Sequence, residues 1–194
     1  HSSLDILQTE IAIKLVKDNF ERELASALNL TRVSAPLFVL PASGLNDDLN
    51  GIERPVQFDI LDMGEDVQVV HSLAKWKRMA LHRYGIERGH GLYTDMNAIR
   101  RDEDLDNLHS VYVDQWDWES LLEPELRNEG YLRVVVGKIV GALCRTHEQV
   151  CARFPALDLF LTENITYLTA QQLEDAYPDM TPYQRECEIT KQCG

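Results

Sequence analysis

Two strand-like stretches of similar length, Leu92 to Ile99 and His109 to Trp118, flank a charged connection from Arg100 to Leu108. Such a pair reads as a long hairpin. A hairpin alone is marginal in water, so it has to join a wider sheet and be covered by helices. The rest of the chain supplies both. Leu7, Ile11, Leu15, Phe20, Leu24 and Leu28 recur at near-helical spacing and predict a first helix, opened by Ser2-Ser3-Leu4-Asp5 with a hydroxyl cap and running to about Asn29. Thr31 to Leu40 predicts a strand that Pro36 makes irregular. Val56, Phe58 and Ile60 alternate with polar residues, and Val67 to His71 reads as their partner across a turn. Ser72 is expected to cap a helix carrying Leu73, Trp76, Met79 and Ala80 on one face.

Glu123 to Phe154 is the longest helical pattern, with Pro124 confined to its first turn. Ile165 to Leu168 reads as a short strand, and Thr169 begins a short helix ending near Pro178. Thr181-Pro182-Tyr183-Gln184 starts a last helix, and Gly194 is suited to stop it. The sum is an α+β fold: an antiparallel sheet flanked by helices in a single domain over residues 1–194.

Charge limits the partners. Lys and Arg total 19 against 32 Asp and Glu, a formal net charge of −13. Such a surface repels phosphate backbones and anionic lipid, and Lys75-Trp76-Lys77-Arg78 is too short a basic run to overcome it. No nucleic acid and no membrane partner is expected; a small molecule is. The four cysteines form no C-x-x-C pair and the N-terminus shows no signal-like apolar core, which fits reduced thiols in a cytoplasmic protein. The six histidines give no H-x-x-x-H spacing, so no zinc site is expected.

Four segments could carry chemistry. In Ser110 to Glu119, period two puts Val111, Val113, Gln115 and Asp117 on one face and Tyr112, Asp114, Trp116 and Trp118 on the other. A core-facing Asp or Gln is costly unless paired. A face bearing Gln115 and Asp117 therefore suits a wet pocket and an ammonium ligand, or it is the solvated face of an edge strand. Arg100, at the end of a strand, could present its fork to a phosphate, with Glu103 placed to accept from an adenine amino group. A solvated hairpin tip fits the same residues. Ser43 to Gly51 reads as a mobile lid bringing a carboxylate to substrate, or as an ordinary polar loop. Lys75 and Lys77 lie on different helix faces, so only one of them can turn toward a pocket.

Together these segments resemble a known family. Val70-His71-Ser72-Leu73-Ala74-Lys75-Trp76-Lys77-Arg78, then Gly91-Leu92-Tyr93-Thr94, then Arg100 with Asp102-Glu103-Asp104, then Leu108 to Glu119, are similar to ammonia-dependent asparagine synthetase. That aspartate–ammonia ligase is related in fold to class II aminoacyl-tRNA synthetases. The resemblance covers essentially the whole chain. It implies a homodimer that uses ATP and Mg²⁺ to convert L-aspartate to β-aspartyl-AMP, which ammonia then resolves to asparagine. Carried over by position, Arg100 resembles the arginine gripping the α-phosphate. Glu103 and the backbone near Leu108 and Val111 would face adenine. Asp47 resembles the lid carboxylate, and Ser72, Lys77, Gln115 and Asp117 resemble the groups that read aspartate, with Arg100, Asp47 and Gln115 closest to the chemistry. No metal ligand is expected within this segment. Arg101 stands where proline is expected, and the hairpin loop is one residue shorter. The family continues beyond Gly194 into part of the ATP and metal site, so the domain is expected to be incomplete on that side. A tRNA synthetase core and a catalytically inactive amino-acid-binding or regulatory module are the alternatives.

Overall fold

Asp5 opens the first helix: its carboxylate accepts from Gln8 N at 2.8 Å, and the Gln8 side chain accepts from Asp5 N at 3.1 Å. This reciprocal cap satisfies two backbone donors that the helix itself leaves orphaned. Helix α1 therefore spans Ile6–Leu28, starting later than the serine cap predicts, and ends with Asn29 in the left-handed region. The structure is a computed structural model that describes residues 3–193 apart from Asp48 and Leu108. Leu108, expected beside adenine, and Gly194, expected to end the last helix, lie outside the described residues.

The chain divides into two compact units, His1–Phe160 and Leu161–Gly194. In the first, strands β1 (Leu30–Arg32), β2 (Phe38–Val39), β3 (Gln57–Asp59) and β4 (Asp66–Val69) precede helix α2 (Ala74–Arg83). Strands β5 (Gly91–Ile99) and β6 (Tyr112–Ser120) form the hairpin, followed by helix α3 (Glu129–Arg153). The architecture is α+β, as the sequence predicts, but it holds two sheets: β1-β5-β6 and β2-β4-β3. The run Thr31 to Leu40 is two short strands in different sheets rather than one, with Pro36 between them. β1 also pairs parallel to β5, which the long connection between them permits.

The hairpin register fixes its faces. Leu92 lies opposite Glu119, Thr94 opposite Asp117, Met96 opposite Gln115 and Ala98 opposite Val113. This face packs on α2, where Leu92, Met96 and Ala98 join Leu73, Trp76 and Ala80 in the main core. The other face meets α1: Phe20 stacks on Trp116 at 5.4 Å, and Lys17 pairs with Asp114. Glu21 also receives the Tyr93 hydroxyl at 2.7 Å; burial and that carboxylate push the phenol up to about 12. α1 and α3 share a second, smaller core of Ala12, Val150 and Phe154.

Gly91 marks the tightest point, between Leu30 and Ser120 in the sheet. A Cβ there would abut the Glu119 carbonyl oxygen and stand 2.7 Å from both Leu30 Cδ2 and Ser120 Oγ. Gly91→Ala is expected to lower stability by about 1–3 kcal/mol through this overpacking. A urea midpoint equal to that of the parent would disprove the constraint.

α3 starts later than predicted. Pro124–Leu126 forms a separate 3₁₀ turn, and Asn128 caps the helix by accepting from Tyr131 N at 2.9 Å. In the second unit, Thr169 and Gln172 cap α4 (Ala170–Ala176), and Thr181 with Gln184 starts α5 (Pro182–Cys193). Ile165 to Leu168 is not a strand, because no neighbouring strand receives its backbone.

Candidate functional site

The charged hairpin tip and the loop after β2 face one another across a cavity of about 790 Å³. That size suits a nucleotide-scale ligand. Its lining brings together Asp47, His71, Arg100 and Glu103, three of which the sequence singles out.

Arg100 is placed by the hairpin itself. Its N–H donates to Val111 O at 2.8 Å, and its carbonyl accepts from Glu103 N at 3.2 Å. Val111 thus contributes backbone at the mouth of the turn and is not itself in the cavity lining. The Arg100 Nε is buried and has no hydrogen-bond partner among the described residues. A guanidinium donor kept from both water and protein is costly and calls for an anion. The same cavity carries five carboxylates, and the chain has ordered some of them. Glu53 accepts from Asn50 N at 3.0 Å and Asn50 Nδ2 at 2.9 Å. Asp102 accepts from Arg54, whose guanidinium beside it holds the Asp102 carboxyl far below the usual carboxylate range.

The loop bearing Asp47 is anchored from below. Asn46, only 9% exposed, accepts His71 N at 2.9 Å and donates to Val69 O and the Gln68 side chain. Lys75 Nζ donates to Asn46 O at 3.0 Å. So Lys75 holds the loop while Lys77 turns the other way, in keeping with their different helix faces. Asn46 and His71 are among the residues that sequence reasoning left without a role. Their contacts link positions more than twenty residues apart, and no local pattern signals that.

The second cluster sits on the α2-facing side of β6. Lys77, its side chain 6% exposed, donates to Asp117 and to Trp118 O at 2.9 Å, with Glu119 at 3.5 Å. One cation faces two carboxylates, a formal excess of one negative charge. Such a cluster attracts an ammonium group. Lys77 spends its donors on the protein, so here it holds Asp117 in place. Gln115 Nε2 lies 3.2 Å from Met96 Sδ, a weak acceptor, which leaves the amide ready to exchange for a better partner. Ser72 Oγ accepts from Ala74 N at 3.1 Å at the entry to α2, where Leu73 rather than Ser72 is the cap position. Period two predicts Gln115 and Asp117 on one face; Glu119 follows by the same rule two residues on.

Ser72, Lys77, Gln115 and Asp117 are not in the lining of the Arg100 cavity. The predicted residues therefore fall apart in space: Asp47, Arg100 and Glu103 line the cavity, while Lys77 pairs with Asp117 outside it. Among the described residues no three His, Cys, Asp or Glu side chains are placed to hold a metal ion.

The first unit thus holds a carboxylate-lined cavity around Arg100 and a net-anionic cluster around Lys77. The family model for aspartate–ammonia ligase matches residues 7–194, and the chain belongs to that family. It is 60% identical over 191 residues to the aspartate–ammonia ligase of Ruminiclostridium cellulolyticum, covering 98% of this chain and 57% of the relative. The enzyme of that name from Fusobacterium nucleatum is 61% identical over 193 residues, covering 100% of this chain and 59% of the relative. That from Bacillus cereus is 54% identical over 193 residues, again across 100% of this chain and 59% of the relative. The chain thus spans less than two thirds of the length of these relatives.

Proposed function

We propose that this chain carries the nucleotide- and aspartate-binding part of an enzyme that makes L-asparagine from L-aspartate, ammonia and ATP. The observation that carries the reading is the buried Nε of Arg100, without a partner among the described residues, in a cavity shared with Glu103 and Asp47. The activity for which the relatives are named, aspartate–ammonia ligase, supports it.

A carboxylate oxygen is a poor leaving group, so ammonia cannot displace it directly. In the first step the β-carboxylate of aspartate attacks the α-phosphorus of ATP. The bond to the bridging oxygen breaks and pyrophosphate departs with its electron pair. Negative charge builds on the non-bridging α-phosphate oxygens, and Arg100 is the group poised to stabilise it. In the second step ammonia adds to the acyl carbon, AMP leaves with the C–O electrons, and the nitrogen gives up a proton. Glu103 accepts from the adenine amino group. Asp47 and the excess carboxylate of the Lys77 cluster attract the α-ammonium of aspartate, and the Gln115 amide trades its thioether contact for a substrate carboxylate. Holding both reactants at fixed positions removes much of the entropic barrier.

With this reading go Mg²⁺ brought in with the nucleotide, assembly as a homodimer and a cytoplasmic setting. Among the described residues no three His, Cys, Asp or Glu side chains are grouped to hold a metal ion, and no step is assigned to the ion. No helix among them is long and apolar enough to cross a membrane.

Asp117→Ala tests the amino-acid half. It should weaken aspartate binding by roughly 10- to 100-fold, the loss of a charge-assisted contact, and leave ATP binding within about twofold. Calorimetry with each ligand measures both, and equal losses would refute the assignment. In the protein that contains this chain, pyrophosphate release must require aspartate, and asparagine formation must require ammonium.

A further inference from the structure

Arg100 shares its cavity with Asp47, Glu53, Asp102, Glu103 and Asp104, yet its Nε is unpartnered among the described residues. An arginine so surrounded would ordinarily settle against an acid. Asp102 lies nearest in sequence, two residues along the same tip, and it is engaged elsewhere. Arg54 reaches it from the facing loop with three donors. Its backbone N–H and Nε lie 2.9 and 3.0 Å from Asp102 Oδ2, and its Nη2 lies 2.5 Å from Oδ1. The fork occupies both oxygens, a geometry that lysine cannot reproduce. Arg101, the other neighbour, stands 4.0 Å from Oδ1, beyond a hydrogen bond.

We propose that Arg54 is a positioning residue for phosphate binding: by occupying both Asp102 oxygens it keeps that carboxylate from pairing with Arg100 and leaves the Arg100 guanidinium open to a nucleotide phosphate. The proposal rests on the reading of Arg100 as the phosphate ligand. It differs from a plain strap between loop and hairpin, because its consequence is electrostatic. Without Arg54, Asp102 becomes the competitor of the phosphate.

A double-mutant cycle reads this directly. ATP is titrated into the protein that contains this chain, as the parent, Arg54→Ala, Asp102→Asn, the double variant and Arg100→Ala, each checked for folding by circular dichroism. Arg54→Ala should weaken ATP binding by roughly tenfold or more, as Asp102 turns to Arg100. Asp102→Asn alone should change affinity by less than about threefold, and the double variant should return to within about threefold of the parent. If Arg54 only braces the loop, or touches phosphate itself, the second change rescues nothing beyond its own single effect. Additive effects, or an Arg54→Ala chain that binds ATP like the parent, overturn the proposal. An Arg100→Ala chain of unchanged ATP affinity overturns the underlying reading and the proposal with it. Loss in Arg100→Ala without loss in Arg54→Ala overturns the proposal alone. Should Arg54→Ala fail to fold, Arg54→Gln takes its place in the cycle.

Discussion

Arg100→Ala is expected to weaken ATP binding by roughly 10- to 150-fold, the equivalent of about 1.5–3 kcal/mol for hydrogen bonds to a charged group. The fold should survive. In the hairpin turn this residue bonds through its backbone, to Val111 and Glu103, and alanine keeps both bonds. Removing a buried nitrogen that has no partner among the described residues also removes its desolvation cost, so the denaturation midpoint should hold or rise slightly. That combination separates a ligand-binding arginine from a structural one. Arg100→Lys should fall between, because it retains charge but not the planar fork that meets two phosphate oxygens at once. An Arg100→Ala chain that binds ATP like its parent would leave the cavity without its anion-binding role.

How far such a site can be read from sequence depends on how far its contacts reach. The hairpin was legible because each strand carries its own alternation, and the turn between them carries charge. Its second strand begins later than the pattern suggests because Asp106 captures His109, accepting from its N–H at 2.7 Å and meeting its ring at 2.9 Å. That local side-chain bond competes with the ladder and delays pairing. β1 was harder to place, since a three-residue strand gains its partner only through a crossover. Ile165 to Leu168 has strand composition and no strand to pair with, which shows how far strand preference is set by context. In the site, Gln115 and Asp117 followed from the period of a strand. Asn46 and Arg54 did not, because their partners lie in β4 and the hairpin tip, brought near only by the tertiary fold.

Lys77→Met should produce the largest loss of stability, of about 3–5 kcal/mol, the cost of stripping the partner from a buried ion pair. The lysine is nearly fully enclosed, whereas Asp117 and Glu119 keep 21% and 29% of their side chains in contact with solvent. Water can therefore take up part of the abandoned charge, which places the expected loss in the lower half of that range. Methionine matches the stem in length, so the effect is electrostatic rather than a cavity. Two carboxylates would then stand on one face of β6 with no cation between them, and the freed Trp118 carbonyl would lose its donor. A triple variant, Lys77→Met with Asp117→Asn and Glu119→Gln, should recover most of the loss, because neutral amides of the same shape remove the repulsion. Urea unfolding reads both steps. The triple variant should still fail to bind aspartate, since the negative excess that attracts its ammonium is gone. Recovery of stability together with aspartate binding would mean that the cluster holds the sheet to α2 and plays no part in ligand recognition.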